Sequence, residues 1–147
     1  MAVRTLALSV LLVVALTLTG CGGADIVTYI PDGGSYTSED LTEALRTADL
    51  RSVASVAPDE IAQTRQSALA ELRQNGDEAA ALADVLTSDF PTDVLSVPVH
   101  IEVAEFEGRS VWLVIEASAD DDGSLTSRRL WVFARDSLDL LAAISGR

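Results

Sequence analysis

From Val97 the chain reads Val-Pro-Val-His-Ile-Glu-Val-Ala to Ala104. From Val111 it reads Val-Trp-Leu-Val-Ile-Glu-Ala to Ala117, and from Arg129 it reads Arg-Leu-Trp-Val-Phe-Ala-Arg to Arg135. In each stretch one set of alternate positions is uniformly aliphatic, the period-two pattern of strands whose side chains point to opposite faces in turn. Leu140 to Ile144 is a shorter fourth run, and Glu107-Gly108, Asp122-Gly123 and Asp136-Ser137 are turn signals between the runs. Short turns between alternating runs predict a four-stranded antiparallel meander.

The registers can be argued from the turns. A two-residue turn at Asp122-Gly123, a favoured hairpin pair, sets Leu113 opposite Val132, Ile115 opposite Leu130, Trp112 opposite Phe133, Val114 opposite Trp131 and Glu116 opposite Arg129. The last pair predicts a cross-strand ion pair. For the first hairpin, a two-residue turn at Glu107-Gly108 places Val103 beside Trp112, whereas a three-residue turn places it beside Leu113. The second choice makes one face wholly aliphatic: Val99, Ile101 and Val103 with Leu113, Ile115, Leu130 and Val132. It is preferred because a sheet packs a uniform face on its helices. The opposite face then carries His100, Glu102, Trp112, Glu116, Arg129, Trp131, Phe133 and Arg135.

The helical signals lie upstream. Thr37-Ser38-Glu39-Asp40 has the spacing of a capping box, and Leu41, Ala44, Leu45 and Ala48 follow at one-face spacing, predicting a helix over about 38–49. A second helix is expected from Pro58, with Ile61, Ala68, Leu69 and Leu72 on one face and Asn75-Gly76 as its stop. A third is expected from Asp77, with Ala79, Leu82, Ala83 and Leu86 inward and Phe90-Pro91 closing it. The fold class is therefore α+β: N-terminal helices packed on one face of a C-terminal four-stranded antiparallel meander, a single domain over 37–147.

Composition narrows the function. The 147 residues hold 10 Arg, no Lys and 23 acids, a net charge of −13, which argues against nucleic acid as a partner. One Cys provides no intrachain disulfide, and one His no multi-His metal site. The helical segments contain no His, Cys or Met to hold a cofactor, so none is expected. Asp120-Asp121-Asp122-Gly123 lacks the spacing of a calcium loop and reads as an acidic hairpin tip. His100 stands apart from any nucleophile, with Glu102 on the same strand face to tether its ring. The chain shows no nucleophile elbow, phosphate loop or dinucleotide fingerprint, so no catalytic residues and no enzymatic activity are expected.

The N-terminus carries an address. Met1 to Thr5 contains a single Arg, and Leu6 to Leu18 is an uncharged run of 13 residues. That is shorter than the roughly 20 residues needed to span a bilayer and matches an export signal. The run ends Leu18-Thr19-Gly20-Cys21, which resembles the lipobox of bacterial lipoproteins. The resemblance implies cleavage of a signal peptide, residues 1–20, and attachment of lipid with palmitate-type acyl chains to Cys21. The protein would then sit on the extracytoplasmic side of the cell membrane. Residues 21–36, with Gly22-Gly23 and Pro31-Asp32-Gly33-Gly34-Ser35, read as a tether, though Ile26 to Ile30 is apolar enough to lie along the domain or add an edge strand.

The functional expectation is a lipid-anchored, non-catalytic envelope protein that acts as a binding or interaction module, with an envelope protein or a small ligand as its partner. The aromatic sheet face (Trp112, Trp131, Phe133, Glu116, Arg129, Arg135 and His100) would be the working surface, since exposed apolar patches mark binding sites. The alternative is a carrier with a small apolar ligand in a cavity between helices and sheet.

Overall fold

A computed structural model describes residues 25–89 and 95–147. Cys21, the signal segment and the Phe90-Pro91 helix stop lie outside the described residues. The chain is α+β. Its elements are β1 (Thr28–Ile30), β2 (Ser35–Tyr36), α1 (Ser38–Thr47), α2 (Ile61–Arg73), α3 (Asp77–Ser88), β3 (Ser96–Phe106), β4 (Arg109–Ala119), β5 (Leu125–Ala134) and β6 (Leu140–Gly146).

The helices form for the reasons their sequences supply. Thr37 caps α1, its side chain accepting from the Asp40 amide while Asp40 accepts from the Thr37 amide. Pro58 opens a single 3-10 turn, Pro58–Glu60, that leads into α2. The expected inward residues of α2 and α3 are all buried. Between them Gly76 takes φ 107°, a conformation that L side chains resist.

The meander β3-β4-β5-β6 is present, but it is part of a larger, mixed sheet of six strands. β1 and β2 both pair with β3 in parallel. Residues 26–36, expected as tether, thus belong to the domain. Val27 is buried, the Glu71 carboxylate of α2 accepts the Ile26 and Val27 amides at 3.1 and 3.3 Å, and the Gly33 amide donates to the Val103 carbonyl at 2.8 Å. The apolar Ile26-to-Ile30 segment gains more by burial than it loses in chain entropy.

The second hairpin has the expected pairs, Trp112 with Phe133 and Glu116 with Arg129 among them, but reaches them by another route. Asp120 and Ser124 close a longer loop, and the register shifts by one residue near its mouth, where Thr126 is extra. The loop and the bulge offset each other.

The first hairpin corrects the expectation. Phe106 pairs with Arg109, so the turn is the two-residue Glu107-Gly108, and Val103 lies beside Trp112. Glu107 and Gly108 have φ of 50° and 78°, the left-handed pair of a type I′ turn. That turn matches the twist of the strands it joins, and this outweighs the about 1 kcal/mol that a non-glycine residue loses there. A bulge at Val99 then shifts the pairing, with Val97 opposite Ala117 but His100 opposite Ile115. The slip alone sends Ile101 and Val103 to the aromatic face and brings His100 and Glu102 to the aliphatic one, while the bulge returns Val97, opposite Ala117, to the aliphatic face.

Helices cover both faces, not one. The α2–α3 hairpin lies on the aromatic face, where Trp112 and Phe133 are each 1% exposed and Tyr29 of β1 rests against Trp112 with ring centroids 6.3 Å apart. α1 crosses the aliphatic face over β5 and β6, with Leu45 against Gly146 and the Ala48 carbonyl accepting from Arg128. Aromatic side chains bury the largest apolar area, and they take the larger helical cover.

One polar cluster sits under that cover. Glu116, 2% exposed, accepts from Arg65 of α2 at 2.6 Å, from the Ser96 hydroxyl at 3.1 Å and from the Trp131 indole at 3.1 Å. Arg65 also donates to the Leu86 carbonyl of α3 at 2.8 Å and to the Ser96 carbonyl. The register pair with Arg129 holds, but the ion pair of Glu116 is with Arg65.

Three substitutions are tested by urea unfolding. Arg65→Ala, which strands the Glu116 charge, is expected to cost about 3–5 kcal/mol. Arg135→Ala, which removes the exposed pair with Glu78, should cost at most ~1 kcal/mol. Glu107→Asn, which puts the favoured Asn-Gly pair into the I′ turn, should raise the unfolding midpoint by up to ~1 kcal/mol of stability, since Asn tolerates the left-handed region better.

Candidate functional site

The site grows out of the register of the first hairpin. Because its turn has two residues, His100 and Glu102 look out on the same side as Leu113 and Ile115 of β4. Glu102 is 3% exposed, and a carboxylate at that depth needs donors. It has three: the Gly34 amide at 2.7 Å, the Tyr36 hydroxyl at 3.0 and 3.1 Å to its two oxygens, and His100 Nε2 at 3.0 Å. The turn before β2 folds directly over it. A Cβ at Gly33 would fall 1.9 Å from Glu102 Oε1, so only glycine allows this approach.

The negative charge is felt by the phenol. Burial, then the hydrogen bond to Glu102 and its charge, and then the charge of Asp40, push the Tyr36 pKa up to about 12. Tyr36 is therefore a neutral donor across the physiological range.

Beyond this cluster α1 stands off the sheet and leaves an open cleft of about 590 Å³. Its floor is Val99, Leu113 and Ile115, and Ala44 and Ala48 form the helical wall. Tyr36 and His100 line it, and Asp40, Glu43 and Asp49 contribute three carboxylates. Hydrogen bonds from the Thr37 amide and hydroxyl hold Asp40 below the usual carboxylate range. The Arg46 guanidinium does the same for Glu43, and Arg51 holds Asp49 at about 2. All three are anions at neutral pH.

The residues expected to form one aromatic face are dispersed. Trp112, Phe133 and Glu116 are core, because α2 and α3 lie over them. Trp131 is half-buried, and its indole is given to Glu116. Arg129 is half-buried opposite Glu116, and Arg135 is exposed and pairs with Glu78 at 2.7 Å. His100 is on the other face of the sheet altogether. The aromatic binding face is thereby withdrawn: its apolar residues are the core under the helical hairpin. The tether between His100 and Glu102 is as expected. Cys21 lies outside the described residues.

Tyr36 and the α1 acids had no functional reading in the sequence. One signal was available: the two-residue turn at Glu107-Gly108, taken at face value, already carries His100 and Glu102 to the aliphatic face. The part played by Tyr36 had none, since nothing local in Gly34-Ser35-Tyr36 announces a strand beside β3. Among the described residues no group of three or more His, Cys, Asp and Glu could hold a metal ion, and no helix is long and apolar enough to cross a membrane. Comparison of the chain with protein-family models, curated proteins and solved structures finds no match.

The Tyr36 phenol gives a direct test. Its folded pKa lies above the unfolded value of 10.0, so the unfolded chain loses this proton first as pH rises. The stabilisation is complete below pH 10.0 and is lost as pH climbs towards about 12. Ultraviolet titration of phenolate should show one late tyrosine, and Tyr36→Phe should remove that phase.

Proposed function

We propose that the protein is a lipid-anchored, non-catalytic binding protein of the cell envelope, held by Cys21 on the extracytoplasmic side of the membrane. Its ligand is a small molecule with an apolar body, taken up between α1 and the aliphatic face of the sheet. The observation that carries this reading is the cleft: about 590 Å³ over a floor of Val99, Leu113 and Ile115. Small-molecule sites are concave and of roughly 300–1,000 Å³, and this cleft has that size, with an apolar floor inside a polar, acidic rim. With the aromatic face occupied by α2 and α3, this concavity replaces the partner surface as the candidate.

Binding rather than catalysis is favoured by how the polar side chains are used. Glu102, Tyr36 and His100 are committed to one another, and Glu116 to Arg65. The anchor reading rests on Leu18-Thr19-Gly20-Cys21 after its apolar run. Two acyl chains on one cysteine hold a protein to a bilayer, where one holds it only marginally.

Each half has its own experiment. Cys21→Ser should abolish labelling by a fatty-acid probe and release the protein from membranes; continued labelling refutes the anchor. For the cleft, the neutral dye N-phenyl-1-naphthylamine should brighten with the wild-type domain. Ala44→Trp, which fills the cleft from an only partly buried position on α1, should suppress the signal while circular dichroism is unchanged. Equal brightening with both proteins would place the dye elsewhere and defeat the reading.

A further inference from the structure

The cleft also has a chemical preference, and it follows from which of its hydrogen-bonding groups are already used. The donors along its lining are spent inside the protein. The Gly34 amide and the Tyr36 hydroxyl go to Glu102, the Ser35 hydroxyl goes to Glu105 at 3.0 Å, and the Thr47 hydroxyl goes to the Glu43 carbonyl at 2.8 Å. His100 meets Glu102 through Nε2 at 3.0 Å, so that ring nitrogen is also used inside the protein. Thr28 is the one remaining side-chain hydroxyl in the lining.

Acceptors and negative charge are left over. Among the described residues no Lys or Arg lines the cleft, whereas Asp40, Glu43 and Asp49 do. Glu43 and Asp49 have arginine partners, Arg46 and Arg51, both exposed and outside the lining. Asp40 is answered only by the neutral amide and hydroxyl of Thr37. Behind the floor, Glu102 is answered by an amide, a phenol and an imidazole, with no arginine. Two carboxylates without a permanent cation therefore flank Tyr36, on a protein whose net charge is −13. Burial first, and then the hydrogen bond and charge of Glu102 and the charge of Asp40, keep the Tyr36 phenol protonated between them.

We infer that the cleft is specific for amphiphilic cations: an ammonium group carrying an apolar body, with the apolar part on Val99, Leu113 and Ile115 and the N–H donors towards Asp40. This rests on the cleft being the ligand site as proposed above. An ammonium brings three donors and no acceptor to a wall that lacks the first and has a surplus of the second. An anion meets only carboxylates, and an alcohol brings a single neutral donor, whose hydrogen bond is about half as strong as a charge-assisted one.

The test is calorimetric titration of the domain with three probes of nearly one shape: phenethylammonium, phenethyl alcohol and phenylacetate. The ammonium should bind about tenfold or more tighter than the alcohol, with phenylacetate weakest. Added salt should weaken the ammonium and leave the alcohol unchanged. Asp40→Asn should bring the ammonium towards the alcohol, and Glu43→Gln should weaken it by about threefold, the scale of an exposed charge. Asn at position 40 retains an acceptor for the Thr37 amide, and a thermal melt of each variant confirms its fold. If the alcohol binds as tightly as the ammonium, the charge preference is wrong and the cleft remains a ligand site. If none of the three binds, or all bind Ala44→Trp as well as wild type, the cleft reading fails with it.

Discussion

A carboxylate taken out of water must be met by charge or by several donors, and Glu116 is at the centre of this structure because of how it is met. Its Arg65 partner comes from α2, the second donor from Ser96 at the start of β3, and the third from Trp131 on β5. Arg65 then spends its remaining N–H groups on the Leu86 and Ser96 carbonyls. One buried pair thus ties two helices to three strands. Apolar contacts alone would let the helical hairpin slide over the sheet, since they have no direction. This cluster has direction, and it sets where α2 sits. Whether α2 then meets the aromatic or the aliphatic face is no longer free.

The two buried carboxylates of the sheet are on opposite faces and are handled differently. Glu116 has a permanent cation and is sealed beneath two helices. Glu102 has none and relies on an amide, a phenol and an imidazole at the inner end of an open cleft. The first arrangement is rigid and complete. The second leaves net negative charge beside space, which is why the aliphatic face, chemically the plainer of the two, carries the candidate site.

Much of this was legible from residue order. The capping box at Thr37, the inward sets of α2 and α3 and the four meander strands came out as read, because each depends on contacts within a few residues or one turn. The face assignment did not. It hinged on one residue of register in the first hairpin, and the left-handed conformation accepted by Glu107 decided it. Uniformity of a face proved a weaker guide than turn geometry. The bulge at Val99 and the offset at Thr126 left no local mark, because a bulge answers to packing on both sides of a sheet. β1 and β2 were obscured for a different reason: parallel pairing joins segments about 70 residues apart, and no turn announces it. The candidate site inherits two of these omissions, since it needs the slip and β2 to bring His100, Glu102 and Tyr36 together.

The clamp of Glu71 on the Ile26 and Val27 amides has a consequence for reach. A tether running to residue 36 would let the domain wander far from its point of attachment. With the chain gripped at Ile26, a lipid on Cys21 leaves only residues 22–25 between bilayer and domain, and the two Cα atoms can separate by no more than about 18 Å. That is about two Debye lengths in physiological salt. On the proposed anchor, repulsion of so acidic a protein by anionic headgroups would act within about the first Debye length, and the short connection would keep the domain near the surface beyond it. So held, the domain would stay in a thin shell above the membrane, and a ligand of the cleft would be met in two dimensions more than in three. On that reading, whatever enters the cleft would have to be delivered to, or released from, that shell.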